Sequence, residues 1–144
     1  MTYINGSHHV TLSVAGAQED VDFHTKVLGM RFIKKTVLYD GSKPVYHLYY
    51  SNANGDPSSV ITTFPWAQAN LYGSRGTNQA REVLLAVPHG SLDWWAKRLA
   101  DHEVDSTSVE VFGAAGSPSR TRPASSTSSS RATTTPASAT RPTG

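Results

Sequence analysis

Apolar and polar residues alternate with a period of two through His9-Val10-Thr11-Leu12-Ser13-Val14, the pattern of a half-buried strand. Residues i and i+2 of a strand share a face, so Val10, Leu12 and Val14 point one way and His9, Thr11 and Ser13 the other. The pattern then lengthens over Gln18–Leu28. There Val21, Phe23, Val27 and Leu28 supply apolar contacts, acids occupy the first turn, and Gly29 stands where a helix C-cap is expected. Arg31–Tyr39 follows as a strand with Ile33, Thr36 and Val37, and Asp40–Pro44 reads as a turn. Val45–Tyr50 and Ser59–Phe64 are two more strands, joined by the turn-forming run Asn52-Ala53-Asn54-Gly55-Asp56-Pro57. The predicted order is strand, helix, strand, strand, strand.

That order then begins again. Arg81–Val87 has the shape of His8–Val14, and Leu92–Leu99 matches Val21–Leu28 with Asp, an aromatic, Lys and Leu in register. Ser91 is the expected N-cap of this second helix, and Ser108–Phe112 starts its next strand. An internal duplication fits units that cannot each bury a sheet face alone. The fold class is therefore α+β, built from paired βαβββ units, with unit one at 3–66 and unit two at 78–113. Gly73-Ser74-Arg75-Gly76 lacks the strand-to-helix context of a phosphate cradle and reads as the linker between them.

Composition separates the chain into two parts. Residues 1–113 hold nine Lys/Arg against eleven acids, a net charge of −2. Residues 114–144 hold four arginines and no acid, lysine or aromatic, so the basic excess of the whole chain comes from this tail. It is no evidence for a nucleic-acid surface on the folded part, and no nucleic-acid partner is expected. The second unit is expected to be incomplete, because its last two strands should fall after Gly113, where Ser, Thr, Ala, Pro and Arg take over. Such a tail cannot offset the entropy of ordering itself and is expected to be disordered, or at best extended. Two explanations stand for it: a native flexible stalk, or a shifted reading frame in a GC-rich gene. The break in the middle of a repeat favours the second, in which the domain is truncated.

There is no cysteine, which excludes disulfides and thiolate catalysis. No apolar run approaches the roughly 18 residues of a membrane span, and the N-terminus lacks the pattern of a secretory signal. A cytoplasmic protein without a membrane partner is the expectation.

Chemistry-bearing residues are few. His9 stands on a rigid strand beside a polar face, where an imidazole can be held at metal-bonding distance, although a lone strand histidine is more often structural. His47 shares a strand face with Tyr49, opposite Tyr46, Leu48 and Tyr50. Two roles stand for it: a base toward a substrate hydroxyl, or a packed sheet residue. His24, on the helix, His102, at a helix end, and His89, in a loop, are expected to be solvated. The aromatic set that includes Phe64, Trp66, Trp94 and Trp95 is expected to serve core and interface, with an apolar pocket near Phe64 and Trp66 the lesser alternative.

Five segments carry a resemblance: His8-His9-Val10-Thr11-Leu12, Asp22–Phe32, Tyr46-His47-Leu48-Tyr49-Tyr50, Thr62-Thr63-Phe64-Pro65-Trp66 and Val109-Glu110-Val111-Phe112-Gly113. With them the chain resembles the vicinal oxygen chelate superfamily, which includes glyoxalase I, bleomycin and fosfomycin resistance proteins and extradiol dioxygenases. It looks most like the N-terminal domain of ring-cleaving dioxygenases of the hydroquinone kind. The resemblance covers residues 3–113 and none of the tail. It implies a divalent metal, most often Fe(II) with Mn(II) or Zn(II) as alternatives, and oxygen insertion into an aromatic diol. His9 falls at the family's metal-binding histidine, and His8 and Thr11 at positions beside it. The remaining ligands come from a C-terminal half that this sequence does not contain, so weak metal binding and little turnover are expected. Glu82 stands at the repeat position of His9 and reads as a stand-in metal ligand or, preferably, as an exposed strand carboxylate.

Two other functions remain open. One is a glyoxalase-like or resistance-type homodimer, associating through the incomplete second unit and sharing His9 and Glu82 across copies. The other is a binding module that holds an apolar ligand without chemistry.

Overall fold

The computed structural model describes residues 6–39, 41–74, 76–80, 82–111, 114–120 and 131–136. Two compact units divide between Gly76 and Thr77.

In unit one, strand β1 (His9–Val14) leads into helix α1 (Ala17–Asp22), which runs on as a wider π turn over Phe23–Val27. Strands β2 (Arg31–Tyr39), β3 (Pro44–Ser51) and β4 (Val60–Pro65) follow, and a 3₁₀ turn, Trp66–Ala69, closes the unit. The sheet order is β1-β4-β3-β2, with β1 parallel to β4 and the other neighbours antiparallel. The turn between β3 and β4 is built on Asn52, whose Oδ1 accepts the amides of Asn54, Gly55 and Asp56 at 3.2, 2.9 and 3.1 Å. This local bonding is why Asn punctuates the chain there.

The core of unit one lies on the sheet face that bears Leu48, Tyr50, Ile61 and Thr63, all buried. Burying Leu48 contributes about 1.5–3 kcal/mol. At the centre of this core, however, is a carboxylate. Asp20 Oδ2 accepts the Tyr50 hydroxyl at 2.6 Å and the Thr63 hydroxyl at 2.5 Å, while its Oδ1 lies 3.2 Å from His24 Nδ1. The His24 ring stacks on Tyr50 with centroids 4.2 Å apart. His24 is therefore a buried structural residue, which corrects the expectation of a solvated one. Asp20, His24 and Val27 form one i, i+4, i+7 stripe, the signal that would have found it.

The π turn has a local cause. His24 Nδ1 lies 2.9 Å from the Asp20 carbonyl, and Thr25 donates its hydroxyl to the Val21 carbonyl at 2.6 Å. Two successive carbonyls are thus engaged by side chains, and the helix widens so that Leu28 N–H bonds Phe23 O at 3.0 Å. Gly29, at φ +68°, then ends the helix at the expected cap.

Strand β2 is the outer strand, exposed along all nine residues. Its register shifts between Phe32 and Lys34, and Lys34 and Lys35 follow the irregularity. A bulge and charged residues are the usual guards of an open sheet edge.

Unit two comprises β5 (Glu82–Val87), α2 (Leu92–Asp101), β6 (Asp105–Ser106), β7 (Val109–Val111), β8 (Ala114–Arg120) and β9 (Arg131–Pro136). The order is β5-β9-β8-β6 with β7 also on β8, and β5 runs parallel to β9. This repeats the topology of unit one, β5 standing for β1 and β9 for β4. The tail's described residues, Ala114–Arg120 and Arg131–Pro136, take the positions of the last two strands, and the expected strand at 108–112 appears as β7. A ladder is made by main-chain groups that every residue except proline carries in full, so pairing does not require apolar side chains. The Gly113 boundary itself and residues 121–130 and 137–144 lie outside the described residues. Ser91 does stand at the N-cap of α2, but its hydroxyl donates to Pro88 O at 2.6 Å and makes no cap bond to the helix.

Candidate active site

The sheet face of unit one opposite helix α1 gathers the residues of interest. Strand β1 places His9, Thr11 and Ser13 on it, and the register sets Thr11 beside Thr62 and Ser13 beside Phe64. Strand β3 adds Tyr49 beside Thr62, and β2 adds Lys34 beside Tyr49 and Thr36 beside His47. Thr62 donates its hydroxyl to Thr11 Oγ1 at 2.9 Å, and Trp66 Nε1 donates to Ser13 Oγ at 3.2 Å. The polar residues of β1 are thereby tied to the neighbouring strand and turn.

His9 and His8 are both exposed, with their Nδ1 atoms 3.1 Å apart and their rings edge to face. One nitrogen of each ring is occupied by this contact, and a second remains on each. The start of β1 is pinned by Ser58, whose amide donates to His8 O at 2.9 Å and whose hydroxyl donates to Ser7 O at 2.5 Å.

His47 is the more enclosed imidazole. Its ring stacks on Phe64 (4.1 Å, 26°), and Phe64 lies 5.5 Å from Trp66, so a continuous aromatic wall runs across β3, β4 and the following turn. The Tyr49 hydroxyl is 2.8 Å from His47 Nδ1. Nε2 is closed off from solvent and lacks a hydrogen-bond partner in the structure. A buried polar atom left in that state costs about 1–3 kcal/mol and asks for an explanation. Burial, and then the nearby charges of His9 and Lys34, hold this imidazole below its ordinary pKa of 6.5. Lys34 Nζ lies 4.4 Å from the centroid of the Tyr49 ring. From the sequence, Tyr49 belongs to the aromatic set and to the face of His47, with no role of its own assigned to it.

The face as a whole carries imidazoles, hydroxyls, aromatic rings and one lysine, and no carboxylate from β1, β2, β3 or β4. Glu82 belongs to the other unit. It opens β5 as His9 opens β1, it is exposed, and its Cα pairs in parallel register with Arg131 as that of His9 does with Val60. The repeat equivalence of His9 and Glu82 is thus a property of the backbone. His89 and His102 are exposed, as expected.

The fit of a metal is partial. Among the described residues there is no group of three His, Cys, Asp or Glu placed to hold an ion. His9 supplies one donor of the right chemistry on a rigid strand, and the described residues do not complete a ligand set around it.

Similarity to known proteins agrees with this geometry. No family model matches the chain. It is 45% identical over 111 residues to chlorohydroquinone/hydroquinone 1,2-dioxygenase of Sphingobium indicum, covering 76% of this chain and 35% of that protein. It is 43% identical over 108 residues to the putative ring-cleaving dioxygenase MhqO of Bacillus subtilis, covering 75% and 34%. Among solved structures, a putative dioxygenase from Bacillus subtilis superposes with TM-score 0.76 at 34% identity, over 92% of this chain and 40% of that one. A glyoxylase/bleomycin resistance protein/dioxygenase domain from Frankia sp. superposes with TM-score 0.66 at 15% identity, over 92% and 97%, which speaks to the fold alone. The chain spans about one third of the length of the curated relatives it matches. No described helix is long and apolar enough to cross a membrane. The chain is a mixed α+β protein of the vicinal oxygen chelate fold, similar in sequence to the N-terminal part of ring-cleaving dioxygenases.

Proposed function

We propose that this chain is the N-terminal domain of a metal-dependent, ring-cleaving dioxygenase acting on aromatic diols, and that alone it is at most weakly active. The observation that carries this reading is the carboxylate-free face on which His9, the Thr11–Thr62 pair and the His47–Phe64–Trp66 wall stand together. Such a face suits a flat, electron-rich ring whose oxygens carry negative charge. His9 is the metal ligand in this proposal, with Fe(II) the metal that the likeness favours. His8 steadies the His9 ring, and Thr11 orients substrate. The further ligands come from outside the described residues.

The test is a metal titration of the purified chain followed by oxygen uptake with hydroquinone. We expect weak divalent-metal binding that His9→Ala abolishes, and no sustained uptake. Binding unchanged in His9→Ala would remove His9 from the site. Ring cleavage at ordinary enzymatic rates by the chain alone would overturn the one-ligand assignment.

A second reading is favoured by one observation, the matched backbone positions of His9 and Glu82. In a homodimer these two residues from different copies would share one metal, as in a glyoxalase-like protein. Glu82→Ala then abolishes metal binding together with dimerisation-dependent affinity. Unchanged binding in that variant rejects this reading.

A further inference from the structure

The His47 imidazole is held by one hydrogen bond on Nδ1 and has an enclosed, unpartnered Nε2 on the same ring. Which nitrogen bears the proton decides whether the residue acts as a base or as a donor. We propose that Tyr49 is a positioning residue: its hydroxyl donates to His47 Nδ1, keeps the proton on Nε2, and so makes His47 a hydrogen-bond donor to the oxyanion of a bound aryl oxide. The inference rests on the reading of this face as a substrate wall. It replaces the base role for His47 with the opposite one.

Three observations carry it. First, a phenolic O–H is the better donor and a neutral imidazole nitrogen the better acceptor, so the 2.8 Å contact runs from Tyr49 to Nδ1. Second, the ring is fixed between Tyr49 (4.2 Å) and Phe64 (4.1 Å), so Nε2 keeps one direction. Third, strands β1–β4 place no carboxylate on the face around it and β2 adds Lys34, so no side-chain anion of this sheet opposes an incoming one. The lowered proton affinity of the half-buried ring agrees with a neutral imidazole. An oxyanion accepting from Nε2–H would give this atom its missing bond. Phe64 and Tyr49, which flank the ring, are only half-buried.

Nitrogen NMR of the metal-free, ¹⁵N-labelled 144-residue chain at neutral pH tests the assignment directly. We expect His47 to show a protonated Nε2 and an unprotonated, hydrogen-bonded Nδ1. Tyr49→Phe should shift the Nδ1 resonance and mix the two tautomers. A proton on Nδ1, a doubly protonated ring, or an unchanged pattern in Tyr49→Phe each overturns the proposal. If Tyr49→Phe does not fold, the tautomer of the unaltered chain still decides.

The second arm uses 4-nitrophenol as probe, because its ionised form is coloured. The chain should bind the anion about tenfold more tightly than His47→Leu does, the scale of one hydrogen bond to a charged group. His47→Gln, which keeps an N–H donor, should recover part of the difference. Equal affinity in His47→Leu and the unaltered chain overturns the donor role. Neither arm involves a metal or oxygen. A failure here leaves the His9 titration standing, and a failure of that titration leaves the ring-nitrogen pattern standing.

Discussion

The two units share one strand order and differ in what fills it. In unit one the inner strands β3 and β4 bring Val45, Leu48, Tyr50 and Ile61 into a buried layer, and Asp20 reaches into that layer to bind Tyr50 and Thr63. In unit two the same places are taken by Ala114-Ala115-Gly116-Ser117-Pro118-Ser119-Arg120 and Arg131-Ala132-Thr133-Thr134-Thr135-Pro136. Main-chain pairing repeats the path with either set of residues, because the ladder is blind to side chains. Among the described residues, unit two buries Val87 and Leu99, while its Leu84 and Trp94 are 40% and 55% exposed. A shared topology therefore does not imply shared stability. Unit one has the means to specify its structure and its site, whereas the last two strands of unit two have a sequence with few apolar side chains.

The sharpest way to break this comparison is at Asp20. Replacing it by alanine leaves the Tyr50 and Thr63 hydroxyls and the His24 ring without their buried partner. Loss of one member of a buried charged network costs about 3–5 kcal/mol. Urea unfolding followed through Trp66 should show a loss of that size, and a change below about 1 kcal/mol would mean that the network is dispensable. A paired leucine test comes next. Leu48→Ala should cost about 2–5 kcal/mol, as a closed core site does, and Leu84→Ala well under that because its side chain already meets water. Equal losses would show that unit two buries more in solution than the contrast allows.

A smaller effect follows from two titrating groups, both in unit one. Burial, then the Asp20 carboxylate, raises the Tyr50 hydroxyl far above its ordinary value of 10. The unfolded chain loses that proton first, so stability is full below about pH 10 and falls as pH rises beyond it. His47 is held below 6.5, so the unfolded chain gains its proton first, and stability falls as pH drops below that value. The stability of unit one should thus fall off at both ends of this range. Tyr50→Phe should remove the alkaline loss and His47→Gln the acid one, each read from the unfolding midpoint against pH. An alkaline loss that persists in Tyr50→Phe would assign it to another group.

Much of this was legible in the sequence, and the failures have physical causes. Alternation placed β1, and β2 begins and ends at the expected residues, Arg31 and Tyr39. The repeated Asp-aromatic-Lys-Leu spacing announced the second unit, and the backbone equivalence of His9 and Glu82 follows from it. The π turn was not legible, since it depends on His24 and Thr25 competing for carbonyls, and periodicity does not report such competition. His24 was misplaced because a polar residue type outweighed its position in the stripe with Asp20 and Val27. At the site, the shared face of His47 and Tyr49 was visible in the alternation. Their bond was not, because it needs a rotamer as well as a face.

The smallest expected effect tests the outer surface of α2, where the adjacent tryptophans differ. Trp94 is exposed and Trp95 half-buried. Trp94 is not idle, since the Arg98 guanidinium lies 5.3 Å from its centroid and the Trp95 ring meets it edge-on at 4.9 Å. An exposed cation–π pair contributes about 0.5–1 kcal/mol, so Trp94→Ala should lower stability by no more than that. Trp95→Ala should cost more, because it removes half-buried apolar area. The comparison is made by chemical unfolding at two protein concentrations tenfold apart. If Trp94→Ala proves the costlier change, and its cost grows with concentration, this face is covered in solution by another copy of the chain. The exposure of unit two would then be a property of the single chain, with its missing burial supplied by association.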